Sequence, residues 1–136
     1  MYKLLIVDDS ELCRKPYRDV AQNDDGTAFL EIAEAGTGEA GLEYFKEHTD
    51  IRYAVVDIHL PGISGVKMLR QMKEFDPERF SKIQIFMTCT ETFDHHHEDG
   101  PYASYSSTSL MLKPVNAQEF GKFLLEDFQA ERQNTG

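Results

Sequence analysis

Cysteine is scarce in this chain, positive charge is outnumbered, and no apolar run is long. Among 136 residues there are two cysteines, Cys13 and Cys89, enough for one bridge at most, whereas small secreted scaffolds carry several. A reducing, cytoplasmic setting is therefore expected. Lys and Arg number 14 against 24 Asp and Glu, a formal charge of −10. Nucleic acid, which is held through clustered cations, is not an expected partner. The N-terminal apolar run, Leu4 to Val7, is ended by Asp8 and Asp9, too soon for a signal peptide or a membrane span, so no membrane association is expected. Internal repeats and linkers are missing, and the one biased stretch is the polar Thr90 to Ser109. The length predicts a single domain over residues 1–128, with 129–136 as a frayed tail and no room for a second folded module.

What is present is an alternation. Leu4 to Val7, Phe29 to Ala33, Tyr53 to Val56, Ile83 to Met87 and Leu110 to Leu112 are short apolar runs, of the kind that form strands covered on both faces. Between them apolar residues return at helical spacing: Leu42 with Phe45, Val66 with Leu69, Met72 and Phe75, and Phe120 with Phe123, Leu124 and Phe128. These aromatic residues are expected in the core. Alternating strands and helices predict an α/β fold with a parallel sheet and right-handed crossovers. Five strands in this length suit a flavodoxin-like (βα)5 three-layer sandwich of strand order 2-1-3-4-5, with ligands at the carboxyl ends of the strands.

Those ends are chemically coherent. Asp8 and Asp9 follow the first strand, Asp57 the third, Thr88 the fourth and Lys113 the fifth. Converging carboxylates repel one another unless a hard divalent cation neutralises them, and oxygen ligands with open water positions suit Mg2+. One carboxylate could then attack phosphorus, with the Lys113 ammonium offsetting charge on the transferring oxygens and the Thr88 hydroxyl bonding another of them.

Asp8-Asp9-Ser10, the stretch Asp57-Ile58-His59-Leu60-Pro61-Gly62-Ile63-Ser64-Gly65, then Thr88, then Lys113-Pro114 occur in an order that resembles the receiver domain of two-component response regulators, of the stand-alone, chemotaxis-regulator type. The resemblance implies that Asp57 accepts a phosphoryl group from a histidine kinase or phosphotransfer protein. It implies further that Asp8, Asp9, Asp57 and the backbone carbonyl of His59 hold Mg2+, that Lys113 and Thr88 act as above, and that the peptide before Pro114 is cis. The output would be contact with a downstream protein target. The chain would be a signalling domain that assists its own phosphorylation and dephosphorylation, not an enzyme. His59 and Thr90, each two residues past a site residue, are placed to tune access of the hydrolytic water.

Some features depart from that pattern. Ser10 is a natural cap for the first helix, but Pro16 should kink or delay it. The position three before the lysine, usually aromatic in the family, is Leu110, so either the coupling of threonine to aromatic is altered or Tyr105 substitutes. Cys89 to Ser109, where the family has its fourth helix, is poor in apolar residues and broken by Gly100-Pro101, predicting a short or mobile helix. An alternative function follows: a receiver-like docking module that switches little on phosphorylation.

Three further patterns have bland readings. Gly36-Thr37-Gly38-Glu39-Ala40-Gly41 spells G-x-G-x-x-G, but a dinucleotide fingerprint belongs after the first strand of its unit, not the second; a turn and helix start is expected. His95-His96-His97 could bind a metal or sense pH, yet adjacent residues on a helix point apart, and a solvated turn is expected. Cys89, next to Thr88, could be a redox-sensitive thiol, yet a small buried side chain lining the site is expected, and Cys13 is expected to pack on a helix face. A phosphatase with an aspartyl nucleophile, as in the haloacid dehalogenase family, would space its first-strand acids two apart, and here they are adjacent.

Overall fold

The computed structural model describes residues 2–22, 25–89, 108–113 and 115–135. In chain order the elements are β1 (Lys3–Val7), α1 (Glu11–Val20), β2 (Glu31–Ala35), α2 (Gly38–Glu47), β3 (Ile51–Asp57), α3 (Gly65–Phe75), the short α4 (Pro77–Ser81), β4 (Gln84–Cys89), β5 (Thr108–Leu112) and α5 (Ala117–Thr135). The strands form one parallel sheet of order β2-β1-β3-β4-β5, the order the flavodoxin-like reading expects. Pro114, Thr90, Tyr105, the triple histidine and the expected fourth helix lie outside the described residues. Among those described, no helix is long and apolar enough to cross a membrane.

Side chains alternate along each strand, so the sheet feeds two cores. Leu5 and Val7 of β1 join Leu42 and Phe45 of α2 and Val66, Leu69 and Met72 of α3 on one face. Leu4 and Ile6 turn the other way, toward Tyr17 of α1 and Phe120 and Leu124 of α5. These four apolar side chains of β1 are fully buried, each contributing about 1.5–3 kcal/mol by leaving water. Phe75 and Phe123, expected in the core by spacing, are instead half-exposed. Phe75 closes the edge of the α2/α3 core with its ring against Phe45 and under Lys46, and Phe123 lies edge-on to Phe86. A three-residue stripe drifts around a 3.6-residue helix, so its last members leave the buried face.

Pairing, not composition, sets the strand ends. β2 runs two residues later than its apolar run suggests, because Glu31 pairs with Lys3 and Ala35 with Val7; Phe29 and Leu30 are buried ahead of the strand. β4 extends through Thr88 and Cys89 because these pair with Met111 and Leu112 of β5.

The first helix corrects an expectation. It begins directly after Ser10, whose Oγ accepts from the Cys13 amide at 3.3 Å, and runs through Pro16 to Val20 without delay. Proline supplies no N–H to the carbonyl of Leu12, but Leu12 is on the exposed side of the helix, where water can replace it, while Tyr17 anchors the buried side. The last helix carries on past Phe128 to Thr135, through most of residues 129–136, where a frayed tail is expected from the sequence. Its anchors lie in β3: the Tyr53 hydroxyl donates to Asp127 at 2.6 Å, and Arg52 pairs with Glu131.

Candidate functional site

The sheet brings the expected acids, hydroxyl and ammonium to one edge. Asp8 leaves β1 with its amide donating to the Ala35 carbonyl at 3.1 Å, and its buried carboxylate accepts from the Ser10 amide at 3.0 Å. Asp57 closes β3, and its Oδ1 accepts from the His59 amide at 3.0 Å. Carboxylate oxygens of Asp8, Asp9 and Asp57 lie within 4.8 Å of one another, with Asp9 exposed and the other two buried. This is an all-oxygen donor set open to solvent on the Asp9 side, the chemistry a hard divalent cation takes.

Lys113 ties the acids together. Its own amide donates to the Cys89 carbonyl at 2.8 Å, and its Nζ reaches Asp8 Oδ2 at 2.9 Å and Asp57 Oδ2 at 3.1 Å. Burial would discharge the ammonium, but the hydrogen bonds to Asp8 and Asp57 outweigh it and hold Lys113 above the ordinary lysine range. At Asp57 burial dominates: with the Asp8 charge adding to it, it lifts the carboxyl above the usual range against the pull of the His59 amide and Lys113. Burial thus disfavours the charged form of Asp57.

Thr88 stands beside Asp57, paired with it across β3 and β4. It is fully buried, and among the described residues its Oγ1 has no hydrogen-bond partner. A buried hydroxyl left unpaired costs about 1–3 kcal/mol, and this one stands beside the Asp57 carboxylate. His59 follows Asp57 with its ring exposed. Leu110 is half-buried and packs on the α2/α3 core.

Other residues reach the site that spacing alone did not single out. Cys13, expected only to pack, has its Sγ 3.9 Å from Lys113 Nζ. Arg14 donates from its guanidinium to the Asp8 carbonyl at 2.6 Å and to Glu34 at 3.1 Å, pinning the acidic turn to β2. Tyr17 is buried nearby; burial pushes its phenol up to about 12, against the pull of Lys113. Cys13 and Tyr17 also face a cavity of about 430 Å3 that adjoins Lys113. The available signal was helical phase: Cys13 and Tyr17 are four residues apart on α1, so the face that meets Lys113 carries both. Cys89 is buried, as expected, and its side chain joins the α2/α3 core.

The profile of the response regulator receiver domain matches residues 4–123. The chain belongs to that family. The chemotaxis protein CheY of Bacillus subtilis (strain 168) is 30% identical to this receiver domain over 77 residues, 57% of this chain and 61% of that one. The solved structure of a CheY-like response regulator receiver domain protein from Methanospirillum hungatei JF-1 aligns with a TM-score of 0.73 at 20% identity, covering 100% of this chain and 99% of that one. A complex of CheX, CheY, BeF3 and Mg from Borrelia burgdorferi aligns at 0.71 and 20% identity, covering 93% of this receiver domain and 89% of that chain. At such identities the structural matches speak for the fold alone. The matched segments span between 19% and 61% of the curated relatives' own lengths.

Proposed function

We propose that this receiver domain takes a phosphoryl group onto the Asp57 carboxylate from the phosphohistidine of a histidine kinase or phosphotransfer protein, and signals through contact with a downstream protein. It would work in the cytoplasm. The observation that carries the reading is the pairing of Asp57 with Thr88 beneath Lys113: a nucleophile, a buried unpaired hydroxyl and an ammonium around one space.

The chemistry follows from the residues. An Asp57 oxygen forms the new bond to phosphorus as the bond from phosphorus to the donor imidazole nitrogen breaks, leaving its electron pair on that nitrogen. Lys113 Nζ, already on Asp57 Oδ2, is placed to follow charge onto the phosphoryl oxygens. Thr88 Oγ1 gains in the phosphorylated state the hydrogen bond it lacks beforehand, so the free energy of that bond favours whichever arrangement of β4 lets it form. Asp8, Asp9, Asp57 and the His59 carbonyl would hold Mg2+, and the three carboxylates fit it. What Mg2+ supplies when bound is neutralisation of those acids and of the phosphoryl oxygens. His59 and Thr90 would tune access of the hydrolytic water. A docking module that does not switch is not favoured, since it gives the buried Thr88 hydroxyl no use.

Intact-mass analysis after incubation with acetyl phosphate and Mg2+ tests the reading. A phosphoryl adduct that requires Mg2+ and disappears in Asp57→Asn is expected. No adduct in the folded wild type, or one that survives in Asp57→Asn, would remove Asp57 from the role.

A further inference from the structure

The G-x-G-x-x-G stretch at the start of α2 binds no dinucleotide in the reading above, yet it meets the loop that leaves Asp57. Thr37 caps α2, its Oγ1 accepting from the Ala40 amide at 3.0 Å. From the first turn Glu39 reaches across to the loop between β3 and α3, where its Oε1 accepts from the Ile63 amide at 2.7 Å. The neighbouring Gly62 has φ +77°, and a Cβ there would stand 2.7 Å from Glu39 Oε2: the loop presses its bare backbone against the carboxylate. Gly38 completes the seat. A Cβ on it would lie 2.6 Å from Ile63 Cγ1 and 2.9 Å from the Ile63 carbonyl oxygen, so only glycine lets the loop rest on the helix start.

The other end of the same loop is bound to the site. The Ile58 amide donates to the Thr88 carbonyl at 2.9 Å, the His59 amide to Asp57 Oδ1 at 3.0 Å, and the Gly65 amide closes the loop on the Ile58 carbonyl at 2.9 Å. Residues 58–64 are thus fastened near Asp57 by bonds to main-chain carbonyls and to the Asp57 carboxylate, and at their far end by a side chain from α2. A charged acceptor makes a stronger bond to an amide than a neutral one does, and the first turn of a helix favours a negative group.

We propose that Glu39 is a positioning residue for the phosphoacceptor site, clamping this loop so that the His59 carbonyl faces the Asp8, Asp9 and Asp57 carboxylates. The inference rests on the Mg2+-dependent receiver chemistry proposed above. It assigns the glycine motif a role, as the seat of the clamp. Groups that orient metal ligands without touching the metal set its affinity, and their loss typically weakens it about 10–100-fold.

Mg2+ titration and amide hydrogen exchange of the unphosphorylated protein test the clamp. Glu39→Asp keeps the charge but shortens the reach, and Glu39→Ala removes the acceptor. Both should lose protection at the Ile63 amide and bind Mg2+ about tenfold more weakly, while Glu39→Gln, which retains an acceptor oxygen but not the charge, should lose less than either. Glu43→Ala is the control, since it removes an exposed acid of the same helix that pairs with Lys46 and not with the loop, and it should leave Mg2+ affinity unchanged. Wild-type Mg2+ affinity and Ile63 protection in Glu39→Asp would overturn the clamp, as would an equal loss in Glu43→Ala. If the wild type phosphorylates with Mg2+ and the Glu39 variants match it, the clamp alone fails; if the wild type binds no Mg2+, the receiver chemistry fails and the clamp with it.

Discussion

Asp57 and Thr88 are lateral neighbours in the parallel sheet, one closing β3 and the other one residue short of the end of β4. In such a pair both side chains leave the same face about 4.8 Å apart. The carboxylate has its hydrogen bonds, to the His59 amide and Lys113, and the hydroxyl has none. The imbalance has consequences for stability that can be measured apart from any phosphorylation.

Thr88→Val exchanges the hydroxyl for a methyl of similar size. Most buried Thr→Val changes lose a hydrogen bond, but here none is made, and an unpaired buried hydroxyl costs about 1–3 kcal/mol. Thermal unfolding should show unchanged or raised stability, by up to about 1 kcal/mol, together with a weaker response to phosphorylation. A loss beyond about 1 kcal/mol would mean that the hydroxyl already has a partner.

The difference in stability between wild type and Asp57→Asn should depend on pH in the absence of Mg2+. Burial lifts the Asp57 carboxyl above its ordinary value, so the native state holds that proton more tightly than the unfolded chain does. Wild type should therefore lose stability relative to the variant as pH rises from about 4, the ordinary aspartate value, through the raised one. At the alkaline end the sign belongs to Lys113. Its raised value means that its contribution is complete below about 10.4 and lost above it. Urea titrations of both proteins across pH measure the difference; a flat difference in the acid window would refute the Asp57 assignment.

Mg2+ should stabilise the native state by mass action, by about 2.7 kcal/mol at a hundredfold excess over its dissociation constant. Asp9 is exposed, so Asp9→Asn should leave metal-free stability within about 0.5 kcal/mol of wild type while reducing the shift that Mg2+ produces. Calorimetric melting with and without Mg2+ separates the two effects. An Asp9→Asn melt that responds to Mg2+ like wild type would place Asp9 outside the ligand set.

Pro16→Ala should stabilise the protein. The helix runs through Pro16, so alanine restores the N–H for the Leu12 carbonyl. Interior proline costs about 3 kcal/mol against alanine, of which up to about 1 kcal/mol is offset by its stiffening of the unfolded chain. A gain of about 2 kcal/mol in urea unfolding is expected, and a loss would show that the ring packs favourably beside Tyr17.

Much of the site was legible in the residues because each member ends a strand. In a parallel sheet the strand ends form one edge, so Asp8, Asp57, Thr88 and Lys113 had to be neighbours once the strand order was known. Arg14, Cys13 and Glu39 were not legible in the same way. The role of Glu39 depends on an Ile63 amide 24 residues away, and no periodicity within α2 points at it.

The sequence by itself determined the alternation of elements, the burial of β1 and β3, and the group of acids, hydroxyl and ammonium at the carboxyl edge, because side-chain chemistry and local periodicity are properties of short segments. The tertiary structure decided where strands stop, whether helix α1 tolerates Pro16, which of the aromatics stay outside the core, and what the glycine motif faces. Those outcomes depend on register and close approach between segments distant in the chain, as when Gly38 makes room for Ile63 and Asp57 is set against Thr88, and such contacts exist only after the sheet has formed.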